Sequence, residues 1–168
     1  MMMICTYDSS GILLTHRVPL GKTVNGEYYK TFLQKHLRNA IRKKRPELLQ
    51  RRPLILHDNA SSHKCEVVTS LLASYNWDVL EHPPYSPDMS PPDYDLFPKL
   101  KEHLRGTRYE SLEELEAACA AQVRRINSCC LATGVTMLPS RWQLVIKKQG
   151  HYFEGMQQGN FRSILHFP

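Results

Sequence analysis

Several features that would place this chain of 168 residues in a familiar class are missing from it. No apolar run reaches the ~18 residues of a membrane-spanning helix, so we expect no membrane span. The start, Met1-Met2-Met3-Ile4-Cys5, lacks the layout of a signal peptide. The five cysteines are odd in number and show no CxxC pairing, which favours reduced thiols over a disulfide framework. These absences together predict a protein of the cytosol or the nucleus.

Signatures of several catalytic chemistries are lacking as well. The chain has no Gly-rich phosphate loop, and its motifs support no nucleophile triad. Zinc is disfavoured because the histidines have no paired-ligand spacing with Cys65 or with one another. The histidines concerned are His57, His63, His82 and His103.

What the chain does carry is an excess of positive charge. It has 22 Lys and Arg against 16 Asp and Glu, a net charge of +6 and an isoelectric point of about 9.1. This balance favours a polyanionic partner. The basic residues gather in a tract that fits either a solvated helix face or a surface that contacts phosphates. The tract contains Arg38, Arg42, Lys43, Lys44, Arg45, Arg51 and Arg52.

Apolar periodicity and turn residues predict an α/β fold with mixed strand directions. The expected strands are 2–7, 12–18, 53–57 and 77–81, and the turn Asp8-Ser9-Ser10-Gly11 joins the first two as a hairpin. The expected helices are about 25–44, 61–75, 93–104, 111–126 and 139–147. Their start and stop signals are Asn25, Pro46, Ser61 or Ser62, and a capping box at Ser111. Residues 155–168 are expected to form a poorly ordered tail.

Asp58 and Asp93 are the strongest candidates for chemistry, with 34 residues between them. Asp58 follows the apolar run Leu54-Ile55-Leu56, and Asp93 follows a proline-dense loop and opens a helix. Such a pair can converge at one end of a sheet and hold a divalent metal, as two-metal phosphodiester chemistry requires. Each has a plainer interpretation, Asp58 as a turn residue or helix cap and Asp93 as a helix N-cap. Asp88 and Asp95 are rivals for a metal role.

Around these two aspartates the sequence resembles a known family. The run His57-Asp58-Asn59-Ala60-Ser61-Ser62-His63 resembles the second-aspartate motif of mariner-type transposases. The run from Tyr85 through Asp93 to Phe97 resembles their third-aspartate motif, and the 34-residue gap is the one that marks the mariner group. Further matches at 76–80, 138–142 and 150–154 extend the resemblance over roughly residues 2–154.

The resemblance implies a ribonuclease-H-like fold, with a mixed sheet flanked by helices, for residues 1–154. It also implies metal-dependent DNA cleavage and strand transfer, in which three aspartates hold two Mg²⁺ ions and Mn²⁺ can substitute. Asp58 and Asp93 would be the second and third of these aspartates, so both would be catalytic metal ligands. The implied partners are transposon ends, target DNA and a second copy of the chain. The implied compartment is the nucleus.

The first aspartate of the family has no counterpart in this sequence. In the family it lies on the first strand, in a short Gly-Asp-Glu-like motif that precedes the segment matched by Met2 to Asp8. Asp8 is a tempting substitute, but it matches a hairpin-turn position. Because the first strand lies centrally in such a sheet, its loss would leave two inner edges with unpaired backbone groups, at roughly 1–3 kcal/mol each. Upstream residues, the 155–168 tail or a second chain could fill the gap, or the chain could be a decayed fragment.

More than one function therefore remains open. The chain is either part of an active transposase catalytic domain or an inactive remnant that binds DNA or a protein through its basic helix and proline-rich loop. A metal-dependent nuclease of the same fold is a third alternative, and enzymatic activity of the chain itself is left undecided. The candidate DNA contacts are Arg42, Lys43, Lys44, Arg45 and His63.

Overall fold

Four strands form two separate pairs in the computed structural model, which describes residues 1–150. Strands β1 (Met2–Asp8) and β2 (Gly11–Val18) are antiparallel, whereas β3 (Leu54–Leu56) and β4 (Asp78–Leu80) are parallel. The four predicted strands and their mixed directions are confirmed, with ends that differ by one residue. Helices surround both pairs, so the α/β class inferred from the sequence is correct.

The hairpin of β1 and β2 closes at a two-residue turn that Asp8 holds in place. One carboxylate oxygen of Asp8 accepts the Ser10 N–H at 2.8 Å, and the other lies 2.9 Å from Nε of Arg45. Gly11 has a φ of 123°, a value that glycine adopts without a steric penalty. The hairpin-turn role predicted for Asp8 is therefore confirmed, and its carboxylate is engaged in that role.

Within residues 1–150 the two strand pairs do not merge into one sheet. β1 pairs only with β2, and β3 pairs only with β4. Both faces of β1 nevertheless carry packed apolar side chains, since Ile4 packs against one core while Met3, Cys5 and Tyr7 pack against the other. Coverage on both faces is typical of a strand inside a sheet. The arrangement agrees with the expectation that the described residues lack a central strand.

One long helix packs over the first core. Helix α1 (Gly26–Thr31) continues through a π-helical segment (Phe32–Leu37) into α2 (Arg38–Lys44), which confirms the predicted span 25–44. Asn25 caps it as expected, because its Oδ1 accepts the Tyr28 N–H at 2.9 Å. Helix α3 (Pro46–Gln50) follows with proline in its first turn, as the predicted break at Pro46 requires. The first core consists of Leu13, Tyr29, Phe32, Leu33, Leu37, Ile41, Val68, Leu71, Leu72 and Trp77.

The single helix predicted for 61–75 is split into α4 (Ser61–Lys64) and α5 (Glu66–Ser74). Cys65 between them is extended, with a ψ of 151°. The expected cap by Ser61 or Ser62 is wrong, because no side chain caps either helix. Asp58 holds the turn before α4 instead, since its Oδ1 accepts the Ala60 N–H at 3.0 Å.

The proline-dense loop leads into the C-terminal helices. A 3₁₀ turn (Pro87–Met89) and a π-helical segment (Pro92–Leu96) precede α6 (Phe97–Glu102), α7 (Leu112–Ser128) and α8 (Gly134–Lys147). Ser111 caps α7 as predicted, because its Oγ accepts the Glu114 N–H at 3.1 Å. A second core forms between β1, β2, α6 and α7 from the buried residues Ile12, Leu96, Leu100, Ile126 and Ala132.

Helix α8 begins five residues before its predicted start at Pro139. Asp95, which is distant in sequence, supplies the cap by accepting the Gly134 N–H on Oδ2 at 2.8 Å. A Cβ at Gly134 would lie 2.5 Å from the Tyr7 hydroxyl oxygen and 2.8 Å from Cβ of Asp95, so only glycine fits this contact. The last matched motif and the predicted 155–168 tail lie mostly or wholly beyond residue 150, outside the described residues. Among the helices of residues 1–150, none combines the length and apolar character needed to cross a bilayer.

Candidate active site

Asp58 lies just beyond the carboxyl end of β3, at the edge where parallel strands place ligands. Its side chain is 61% exposed, and Oδ1 lies 2.7 Å from Nδ1 of His63 in addition to accepting the Ala60 N–H. Partial burial raises the pKa of Asp58, but Ala60 and His63 together outweigh that effect and hold the pKa below its ordinary value. Asp58 is therefore an ionised oxygen donor at neutral pH.

Tyr29 and His57 fix the ring of His63, which contacts Asp58. The His57 and His63 rings are parallel within 4°, with centroids 4.8 Å apart, and the Tyr29 ring lies 4.3 Å from His63. The Tyr29 hydroxyl is 3.4 Å from Nδ1 of His57. Burial, and after it the neighbouring His63, lower the pKa of His57 to about 4, so His57 is neutral at pH 7. The packed rings hold His63 in the orientation that meets the Asp58 carboxylate.

Asp93 reaches the site from the other motif. It lies in the first turn of the π-helical segment that opens at Pro92, and the N-cap of that segment is Pro91, without a side-chain cap. Within residues 1–150 no hydrogen bond or ion pair engages the exposed Asp93 carboxylate. The capping interpretation of Asp93 is therefore not borne out. A π-helical turn is rare and occurs often at functional sites, which agrees with a role for this carboxylate.

Asp58 and Asp93 line one cavity of about 380 Å³ between the strand exit and the proline-rich loop. Asn59 ties this loop to the strand exit, because its Nδ2 donates to the His82 carbonyl at 2.6 Å. A second cavity of about 610 Å³ is also lined by Asp58, together with His57 and His63. The structure thus brings together the two aspartates that the sequence singled out.

The rival aspartates are buried and lie outside both cavities. Asp95 is 3% exposed, caps α8 at Gly134 and forms an ion pair with Lys99. Asp88 is also 3% exposed, and its backbone carbonyl accepts a hydrogen bond from Nη1 of Arg141 at 2.5 Å. Both residues help to anchor α8, and neither competes with Asp58 and Asp93 for a ligand in the cavity.

The carboxylate pair offers the type of ligand that a hard divalent cation needs, but not the number of ligands. Both side chains are exposed, and oxygen donors are the ligands that Mg²⁺ and Mn²⁺ prefer. Among residues 1–150, no group of three or more His, Cys, Asp or Glu side chains is placed to hold one ion. All five cysteines in this part of the chain are free thiols. The described residues thus supply two carboxylates at this cavity, which is fewer oxygen ligands than a two-metal site requires.

The basic residues at the end of α2 have mixed surroundings. Lys44 donates to a β2 carbonyl at 2.6 Å, and Arg45 is paired with Asp8, so both are engaged within the fold. Arg42 and Lys43 are exposed. None of the four lines either cavity, whereas His63, the fifth candidate DNA contact, lies in the larger one.

Three residues at the site were missed by the sequence analysis. Tyr29 lies within the helix predicted for 25–44, and nothing in its sequence neighbourhood signalled its contact with His63. Lys64 and Tyr85 line the larger and the smaller cavity respectively. Both stand at the edges of the two aspartate motifs, so their proximity to the site could have been inferred from those motifs.

Comparison with known sequences identifies relatives over most of the chain. A family profile described as DDE superfamily endonuclease matches residues 1–116. The mariner Mos1 transposase of Drosophila mauritiana is 35% identical over 155 residues, which cover 90% of this chain and 45% of the relative. The human histone-lysine N-methyltransferase SETMAR is 30% identical over 154 residues, covering 91% of this chain and 22% of the relative. The chain thus spans less than half the length of either relative.

Solved structures give the same result for the fold. The catalytic domain of Mos1 mariner transposase superposes with a TM-score of 0.84 at 34% identity, covering 90% of this chain and 75% of that one. Structures of that domain and raltegravir, with Mg and with Mn, match at the same score and identity, covering 90% of this chain and 76% of each. A Mos1 paired end complex with Mn matches at a TM-score of 0.83 and 35% identity, covering 90% and 44% of the two chains. The fold is therefore the ribonuclease-H-like fold of these catalytic domains.

Proposed function

This chain belongs to the DDE superfamily endonucleases, and from that membership we propose that it is part of the catalytic domain of a mariner-type transposase. The proposed reaction is metal-dependent DNA cleavage and strand transfer in cut-and-paste transposition. The observation that carries the proposal is the convergence of Asp58 and Asp93 on one cavity, each from its own motif. The likeness to Mos1 structures with Mg and with Mn supports Mg²⁺ as the metal and Mn²⁺ as its substitute.

The residues around the cavity have different proposed roles, which are holding the cation, orienting a carboxylate and anchoring the loop. A bound divalent cation would polarise a phosphodiester oxygen and lower the pKa of bound water or a 3′-hydroxyl. Asp58 and Asp93 would hold that cation, and a third carboxylate would come from outside residues 1–150. His63 keeps the Asp58 carboxylate oriented, and Asn59 keeps the loop that precedes Asp93 closed on the strand exit.

The proposed partners follow from the same likeness. Paired end complexes of Mos1 support transposon-end DNA as a substrate of the parent protein and a second copy of the chain as its partner. The Mos1 strand transfer complex supports target DNA as the second substrate. The basic balance of the sequence supports DNA binding, with the exposed Arg42 and Lys43 and the cavity residue His63 as candidate contacts. Lys44 and Arg45 are weaker candidates because the fold already engages them. We propose the nucleus as the compartment of the protein, because such DNA would be found there.

Metal-dependent stabilisation tests the proposed site without requiring turnover. A ligand at 100 times its dissociation constant stabilises a fold by about 2.7 kcal/mol. For a domain of this size that stabilisation raises the melting temperature by roughly 5–10 °C. We expect Mn²⁺ to raise the melting temperature of the wild-type chain relative to EDTA, and Asp58→Asn and Asp93→Asn each to remove most of that rise.

The matched control is Asp78→Asn, which alters a half-exposed aspartate at the start of β4 that is paired with Arg52. This variant should keep the full response to Mn²⁺. Equal melting temperatures in Mn²⁺ and EDTA for the wild-type chain would contradict the metal site. Nicking of supercoiled plasmid in Mn²⁺ that Asp93→Asn abolishes would show that this chain is active by itself.

A further inference from the structure

Arg141 on α8 contacts the chain on both sides of Asp93. Its Nη1 donates to the Asp88 carbonyl at 2.5 Å, in the 3₁₀ turn that precedes the segment carrying Asp93. Its guanidinium carbon lies 3.5 Å from the centroid of the Tyr94 ring, and Tyr94 directly follows Asp93 in the chain. One side chain from a distant helix thus touches the chain before and after this carboxylate.

Further hydrogen bonds hold the same stretch of backbone. The Tyr94 hydroxyl donates to the Gly134 carbonyl at 2.6 Å, and the Gly134 N–H donates to Oδ2 of Asp95 at 2.8 Å. The N–H groups of Asp93 and Tyr94 both donate to the Ser90 carbonyl, at 2.9 and 3.1 Å. In the described part of the chain, the Asp93 carboxylate itself has no such contact, so its position follows from the backbone that its neighbours hold.

The contacts of Arg141 use two properties that are particular to arginine. A guanidinium is flat, so its face can cover an aromatic ring, and its N–H groups donate within its own plane. Arg141 can therefore lie over Tyr94 and donate sideways to Asp88 at the same time. The two contacts together set the spacing between the 3₁₀ turn and the π-helical segment that carries Asp93.

This spacing matters because a carboxylate binds a metal ion more tightly when it is held in place before the ion arrives. Groups that orient a ligand from outside the site change metal affinity by roughly 10–100-fold. His63 orients Asp58 by direct contact. Asp93 has no corresponding partner among residues 1–150, so its orientation depends on the chain that Arg141 contacts.

We propose that Arg141 is a positioning residue for the proposed metal site, acting on Asp93 through Asp88 and Tyr94. This inference rests on the proposed function and adds a residue to it from outside the two aspartate motifs. Arg141 lines neither cavity. Its positive charge alone would repel a cation, so a pure charge effect predicts tighter metal binding when Arg141 is lost, whereas positioning predicts weaker binding.

The Mn²⁺ affinity of the folded chain tests this inference. Electron paramagnetic resonance measures the free ion, at a temperature below the unfolding transition of each variant. We expect Arg141→Met to raise the dissociation constant for Mn²⁺ about tenfold, as for the loss of an orienting group. Arg141→Lys keeps the charge and a donor but not the flat face, so it should weaken binding by a smaller factor.

The matched control is Arg17→Met, which removes the same charge from an arginine that is paired with Glu116 and lines neither cavity. It should bind Mn²⁺ like the wild type. A measurement without metal then separates positioning from a general loss of stability. In EDTA, amide hydrogen exchange at Asp93 and Tyr94 should accelerate in Arg141→Met, because their bonds to Ser90 open more often.

The amide of Trp77, which donates to the Leu72 carbonyl at 2.9 Å in the first core, reports opening of the whole fold and should accelerate less. Equal acceleration at Trp77 and Asp93 would overturn the inference, because Arg141 would then support the fold in general. Unchanged or tighter Mn²⁺ binding by folded Arg141→Met would overturn it as well. If Arg141→Met does not fold, Arg141→Lys decides, and wild-type affinity of that variant would contradict positioning.

Failure of the positioning role and failure of the metal site give different results. Mn²⁺ binding that the wild type and Arg141→Met share equally would leave the metal site intact and remove only the role of Arg141. A wild-type chain that binds no Mn²⁺ would overturn the metal site and this inference with it.

Discussion

Asp93 and Asp95 lie two residues apart on one helical segment and have opposite surroundings. Asp95 is buried, caps α8 through the Gly134 N–H and forms an ion pair with Lys99. Asp93 is exposed, and within residues 1–150 no hydrogen bond or ion pair engages its carboxylate. One residue joins distant parts of the chain, whereas the other faces the cavity that also contains Asp58. The carboxylate of Asp95 is therefore occupied by structural contacts, whereas that of Asp93 is available to a ligand.

The same contrast extends to the rest of the two regions. Around Asp95, Lys99 also donates to the Leu131 carbonyl at 2.6 Å, and the Tyr7 hydroxyl packs close to Gly134 without a hydrogen-bond partner among residues 1–150. Around the cavity, the contact with His63 orients Asp58, and the Asn59 hydrogen bond ties the proline-rich loop to the strand exit. Asp93 and Tyr85 remain exposed there. Candidate functional residues can thus be recognised as exposed side chains that make no contact needed for the fold.

The largest expected effect comes from replacing the two aspartates in turn. Asp95→Ala should lower the free energy of unfolding by about 3 kcal/mol, because it removes a helix cap and leaves Lys99 without its carboxylate. Asp93→Ala should change it by less than about 0.5 kcal/mol, as is usual for an exposed residue without structural contacts. Urea unfolding of both variants in EDTA measures the difference. Similar losses for the two variants would contradict the division between a structural and an available carboxylate.

A smaller effect is expected at His57, which lines the larger cavity and packs against His63. It is half-buried and neutral, with its pKa lowered to about 4 by burial and by His63. The unfolded chain takes up this proton near pH 6.5, whereas the folded chain resists it until about pH 4. This contribution to stability is therefore fully present above pH 6.5 and is lost as the pH falls from 6.5 to 4. Allowing for partial solvent access, the loss should be about 1–2 kcal/mol.

Chemical denaturation between pH 4 and pH 7 in EDTA checks this prediction. His57→Gln cannot titrate, so its stability should vary with pH by correspondingly less than that of the wild type. Asp58 contributes only toward the lower end of this window, because its pKa lies below its ordinary value of 3.8, and this contribution is common to the variant and the wild type. An identical pH slope for the variant and the wild type would show that His57 is not held in its neutral form.

The sequence predicted the parts of this structure that depend on local signals. Strand positions, the hairpin turn at Asp8 and the caps Asn25 and Ser111 follow from neighbouring residues. The meeting of Asp58 and Asp93 in one cavity was predicted from two motifs and their spacing. The start of α8 was not predicted, because its cap comes from Asp95, 39 residues away in the chain.

Interactions across the fold also explain the missed details of the site. Tyr29 lies in a correctly predicted helix, but its contact with His63 depends on how two helices pack. The break at Cys65 was not predicted, because the serines at 61 and 62 resemble the capped start of one continuous helix. Asp93 was preferred to Asp95 only through the family resemblance, since both are aspartates in the same proline-rich motif and their local signals are alike. The tertiary contacts of Asp95 distinguish the two in the structure.

The smallest expected effect on the free energy of unfolding concerns two serines, Ser61 and Ser111, which the sequence analysis gave the same role as helix caps. Ser61 is the first residue of α4 and Ser111 is the N-cap of α7, but only Ser111 accepts a backbone N–H, from Glu114 at 3.1 Å. Ser111→Ala should therefore lower the free energy of unfolding by about 1 kcal/mol. Ser61→Ala should leave it unchanged or raise it slightly, because alanine is the better helix former. Thermal unfolding of both variants measures the pair. A larger loss at Ser61 would mean that the turn at the second-aspartate motif depends on its serine and not on the Asp58 carboxylate.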